Sequence, residues 1–185
     1  AQNIFAQQEH INSLKKYDNF YDSAYSYIQN CINIGNISEK ALWHSYMALF
    51  LENFYDENIY KILSISKIEN TNVLEKSLHE WDIQTIVEQI VMHYELSLKD
   101  KDSLVQIPYE QYQKLFTHLD SFSIMYYSSL YEALACLAIQ FYNQTIDEMP
   151  IPIRPFDIND TCFFSDNQIF AKISINTSDT LSFSY

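Results

Sequence analysis

The residues here most often used for chemistry are His10, His44, His79, His93 and His118, with Cys31, Cys136 and Cys162. Their spacing argues against the common uses. A zinc-hydrolase helix needs His-Glu-x-x-His, which sets two imidazoles on one face. His79-Glu80 is followed instead by Trp81, Asp82 and Ile83. No Glu-x-x-His pair of the di-iron type occurs. His93 and Glu95 are two apart, so on a helix they point about 200° away from each other. A single glycine, Gly35, excludes both the Gly-x-Ser-x-Gly elbow and the phosphate-binding loop. Cys136 sits in the most apolar stretch, with no basic neighbour to lower its pKa, and reads as a small core residue. The expectation is no metal, no cofactor and no catalytic constellation. A site assembled from the scattered residues Glu88, His93 and Tyr94 is the enzymatic alternative.

The acids carry more information. Twenty-four Asp and Glu against eleven Lys and Arg leave a formal charge of -13 over 185 residues. A nucleic-acid binder neutralises phosphates with Lys and Arg, and an anionic membrane attracts the same residues. Neither partner suits this chain. The charge suits a basic protein partner, because a strong field of one sign raises the encounter rate with the opposite sign. Two acidic clusters are the candidate contact residues: Glu52, Asp56 and Glu57 near a helix end, and Asp157, Asp160 and Asp166 after a proline-rich stretch. Glu80 and Asp82 flank Trp81, a core residue or a half-exposed anchor. Fifteen tyrosines, including the helical stripe Tyr17, Tyr21 and Tyr25 and the group Tyr126, Tyr127 and Tyr131, add side chains favoured at binding hot spots.

These side chains need a scaffold. The composition is 48% hydrophobic and 19% charged, which is globular. No apolar run reaches the roughly 18 residues needed to span a bilayer. The amino end lacks the basic start and apolar middle of a secretion signal. Three cysteines without Cys-x-x-Cys spacing suggest free thiols, hence a cytoplasmic protein. Apolar residues three and four apart predict helices over Asn3–Leu14, from Asp18 to Ile32, from Ser38 to Phe54, from Asn72, from Asp82 to Leu98, from Pro108 to Leu119, and from Ser121 or Ser123 to Phe141. Gly35 should stop the second in a left-handed cap, and Ser38 should start the third. Asp56 reads as a cap or break before Ile59, Ile62 and Leu63, Asn72 with Glu75 as a capping box, and Lys99–Ser103 as a charged loop. From Pro150 to Phe156 three prolines impose extended chain. Ile169–Ile175 and Leu181–Tyr185 then alternate with period two, with a possible third strand at Thr161–Phe164. The predicted fold is mainly α. A bundle of five to seven helices over residues 1–149 is followed by a small antiparallel β hairpin or three-stranded sheet over 150–185.

Small size, acidity, cytoplasmic character, abundant Tyr and Asn and the lack of a catalytic motif give a chain that resembles the immunity proteins of bacterial toxin–immunity pairs, such as those of contact-dependent growth inhibition. The resemblance is one of overall character along the whole chain and transfers no family residue to a position here. It implies tight binding of a cognate toxin domain. Many such toxins are nucleases with basic clefts, which the inhibitor would fill with acidic and aromatic side chains, without turnover. An acidic mimic of nucleic acid that blocks a host basic protein is the alternative. It would require carboxylates spaced along one face like phosphates.

Overall fold

The computed structural model describes residues 2–16, 19–65, 77–116, 127–145, 163–166 and 169–172. It is mainly helical. The chain divides into two compact units, Ala1–Asp100 and Lys101–Tyr185. The expected junction at residues 149–150 lies outside the described residues.

In the first unit, α1 (Gln2–Leu14), α2 (Phe20–Ile34), α3 (Ile37–Ile62) and α4 (Ile83–Leu98) pack in chain order, each against the next. Helix α2 buries Ala24, Ile28, Cys31 and Ile32, much as its periodicity predicts. The turn into α3 differs from expectation. Gly35 is extended, with φ of -68° and ψ of 155°, and not left-handed. Glycine relieves crowding there: a Cβ would lie 3.1 Å from the Cys31 carbonyl oxygen, 3.1 Å from Glu39 Cβ and 3.3 Å from the Lys40 nitrogen, closer than most such contacts. The cap of α3 is Asn36, two residues before Ser38. Its Oδ1 accepts from the Glu39 amide at 3.0 Å, and Glu39 Oε2 accepts from the Asn36 amide at 3.1 Å, closing a capping box. Ser38 supports the cap by donating to Asn36 Oδ1 at 2.9 Å.

Helix α3 runs through Asp56 without a break for 26 residues, about 39 Å at 1.5 Å per residue. It buries two stripes, not one. Trp43, Met47 and Leu51 join Leu42, Phe50 and Phe54 in the core, because α2 and α4 both pack on it. Burial of Tyr55 and Ile62 on either side of Asp56 outweighs the few tenths of a kcal/mol by which Asp disfavours a helix interior. Beyond α3 the chain returns through a 3-10 turn, Leu78–Glu80. Asp22 of α2 fastens this turn by accepting from the Leu78 amide at 2.9 Å and from Ser77 Oγ at 2.7 Å. Trp81 is fully buried, edge-on to Tyr25 at 5.5 Å, so it is core and not an exposed anchor. Asp82 caps α4 as predicted, its Oδ1 accepting from the Thr85 amide at 2.8 Å. His79 meets both Tyr21 and Phe54, and His44 meets His93. Early α4 therefore lies by late α3 and late α4 by early α3, so the two helices are antiparallel. The proposed capping box at Asn72 and Glu75 lies outside the described residues.

In the second unit, Lys101–Leu104 forms one helical turn, α5, where a charged loop was expected; Leu104 is buried and pins it. Pro108 does not open an α-helix. It precedes two 3-10 turns, Tyr109–Gln111 and Gln113–Leu115, and bridges to Ser129. Tyr109 is buried against Phe116 and Tyr127. Helix α6 (Leu130–Thr145) starts at a capping box: the Glu132 amide donates to Ser129 Oγ at 3.3 Å, and the Ser129 amide donates to Glu132 Oε2 at 3.3 Å. It is buried on most of its sides from Leu130 to Tyr142. Two four-residue strands, β1 (Phe163–Asp166) and β2 (Ile169–Lys172), pair antiparallel with Phe163 opposite Lys172. The expected strand Leu181–Tyr185 and the proline-rich stretch lie outside the described residues.

Candidate functional site

The three clustered acids in the second half of α3, Glu52, Asp56 and Glu57, sit within five residues of one another but have different surroundings. Glu52 is half-buried and turned toward α4, where it accepts the hydroxyl hydrogen of Tyr94. Glu57 faces α2 and accepts the hydroxyl hydrogen of Tyr21. Asp56 is exposed. One turn further on, Tyr60 is 89% exposed and Leu63 53% exposed. Residues 56, 60 and 63 are spaced four and three apart, so they form one stripe on the helix surface. Of the carboxyl-terminal cluster, Asp166 ends β1 opposite Ile169. Asp157 and Asp160 lie outside the described residues.

Glu88, His93 and Tyr94 are not brought together as a trio. Glu88 is exposed and takes a hydrogen bond from Gln84 at 2.8 Å. His93 and Tyr94 are buried in the α3–α4 seam and find partners that the sequence does not announce. His93 Nδ1 lies 2.9 Å from His44 Nδ1, with the rings tilted and 5.1 Å apart. His93 is 2% exposed, and its Nε2 has no hydrogen-bond partner among the described residues. An orphaned N–H is rarer in proteins than an orphaned acceptor. We therefore assign the shared proton to His93 Nδ1, donating to His44 Nδ1, with the second proton of the pair on the half-buried His44 Nε2.

Burial sets the protonation of the seam. It pushes the His93 pKa down to about 3, with the charge of His44 as the lesser cause. It pushes His44 down to about 4, with Lys40 as the lesser cause. It lifts Glu52 to about 7, against the hydrogen bond from Tyr94 and with repulsion from Asp56. Tyr94 is raised well above its ordinary value of 10.0 by burial and by Glu52. Tyr21 is pushed up to about 12 by burial and by its bond to Glu57.

The arrangement offers an inward-facing seam, whose imidazoles burial keeps neutral and whose carboxyl is lifted to about 7, and an exposed stripe that carries Asp56. Both thiols that are described, Cys31 and Cys136, are buried, and burial raises their pKa, which makes them poor nucleophiles. Among the described residues no three His, Cys, Asp or Glu side chains gather into a metal-binding group, and no helix is long and apolar enough to cross a membrane. The pairs His44–His93, Glu52–Tyr94 and Glu57–Tyr21 span 49, 42 and 36 residues of sequence, and no local motif marks them. No protein-family model, curated protein or solved structure matches the chain.

Proposed function

We propose that the chain is an immunity-type inhibitor that acts in the cytoplasm, binds a basic toxin domain, a nuclease by preference, and blocks its substrate cleft without turnover. The observation that carries this is the outer stripe of α3, where exposed Asp56 lies one turn from a nearly bare Tyr60 and then Leu63. A large exposed aromatic one turn from a carboxylate is hot-spot chemistry for a cationic surface, combining apolar area with charge pairing. The formal charge of -13 supplies the long-range attraction. Asp56 and the outward edge of Glu57 make the contact, while Glu52 supports them from behind. The segment from Pro150, read as proline-stiffened chain leading into a β ribbon, supplies a second contact through Asp157, Asp160 and Asp166. Stiffened chain loses less entropy on binding.

Co-expression with the toxin encoded in the adjacent reading frame tests the proposal. The expected result is restored growth and a stable complex, with Asp56→Lys and Tyr60→Ala each weakening the complex at least tenfold, the order expected for a hot-spot residue. A chain that neither binds that toxin nor protects against it sinks the proposal. Protection that survives Asp56→Lys with Tyr60→Ala moves the contact away from α3.

A further inference from the structure

Two opposed titrations meet in the α3–α4 seam. The Nδ1 atoms of His44 and His93 are 2.9 Å apart. That contact works with one proton between the two rings; a proton on each Nδ1 sets two N–H groups against each other. Both imidazoles are held neutral far below their ordinary value of 6.5. Glu52, in the same seam, is held protonated far above its ordinary value of 4.5. The charged and titratable groups that bear on these three are Lys40 and Asp56 from α3 and Tyr94 from α4. From α2, Tyr21 reaches Glu57, and Asp22 is bonded to the 3-10 turn at Leu78.

We propose that the α3–α4 seam is a proton-gated latch in which Glu52 counterweights the His44–His93 pair. An opened seam frees two imidazoles to take up protons that the closed seam refuses, so acid favours opening through the histidines. This contribution to closure is complete above about pH 6.5 and is lost as pH falls toward about 4 for His44 and about 3 for His93. Glu52 has the reverse sign. Its contribution to closure is complete below about pH 4.5 and is lost as pH rises through about 7. Between these limits, opening gains two protons at the histidines and loses one at Glu52. The opening constant therefore rises about tenfold per pH unit of acidification, where the pair alone would give about a hundredfold.

Trp43 and Trp81 are the two tryptophans of the chain, and both are buried in the first unit. Urea unfolding followed by their fluorescence from about pH 4.5 to 6.5 reads the linkage. Glu52→Gln keeps an acceptor for Tyr94 and should make unfolding steeper in pH by one proton, about tenfold per unit. The double variant His44→Leu with His93→Leu should take two protons of uptake out of the slope, so that from these groups alone a gain of one proton on opening becomes a loss of one. Carboxylates elsewhere contribute equally to all three proteins and cancel in the differences. Equal slopes for the wild type and either variant overturn the latch. Should the double variant not fold, an NMR titration of the wild-type imidazoles decides. Both rings should stay neutral to about pH 5 in the folded chain, and a ring titrating near 6.5 there overturns the proposal equally.

Discussion

Tyr21 and Tyr94 grip α3 from opposite neighbours, each donating its hydroxyl to a carboxylate on that helix. The two grips are unequal. Tyr94 is fully buried and Glu52 half-buried, whereas Tyr21 is half-buried and Glu57 exposed. Tyr94→Phe should therefore cost about 1–2 kcal/mol, the loss of one hydrogen bond plus a carboxyl left under-satisfied. Tyr21→Phe should cost less, because water replaces the lost donor. Chemical denaturation of both variants checks the order, and a larger loss for Tyr21→Phe would contradict it. The same geometry separates the acids of the Glu52, Asp56 and Glu57 cluster. Asp56→Lys should leave the melting temperature nearly unchanged. Glu52→Lys should lower it sharply, because a cation would replace the acceptor of Tyr94 in the seam. Cys31 and Cys136 are buried, so in native protein both should resist a thiol reagent. Both should react at once in denaturant; fast native labelling at either position would show that its helix opens readily.

At the scale of elements, helix starts bear most of the local information. Asp82→Ala removes a buried cap from α4 and should cost about 1 kcal/mol or somewhat more, and Asn36→Ala should cost about as much at α3. Thermal melts check both; a neutral Asp82→Ala would mean that α4 is held by packing alone. Asp82 was legible because its acceptor serves an amide three residues away, a local relation. So was the buried face of α2, which packs chiefly on one neighbour. The start of α3 is ambiguous in sequence because Ser38 and Asn36 are both good capping residues, and it is Glu39, three residues after Asn36, that closes the box there. Asp56 suggests a cap or break by its residue type alone; two packing neighbours supply a second buried stripe that carries α3 through it. Ser129 with Glu132 is a capping box written plainly in the sequence, yet the apolar residues before it suggested an earlier start. The seam was not legible. His44 and Glu52 are eight apart on α3, and nothing short of the antiparallel pairing with α4 sets them against His93 and Tyr94.

For the molecule as a whole, the charge of -13 governs encounters. Association with a basic partner should slow about tenfold or more between roughly 50 and 500 mM salt, while dissociation changes little. Stopped-flow mixing measures both; a salt-independent association rate would confine the charge to solubility. The first unit has one further property that follows from its chain-order packing. Helices α1 to α4 each meet the next along the sequence, so the native contacts join chain neighbours in succession. The entropy of loop closure grows slowly with length and is smallest for the two-residue corner at Gly35 and Asn36. The α2–α3 corner is thus the natural nucleus, and α4 docks onto a hairpin already formed. Such local topology folds in microseconds to milliseconds. The α2–α3 hairpin can form as soon as both of its helices are free to fold, leaving the seam as the step that waits for α4.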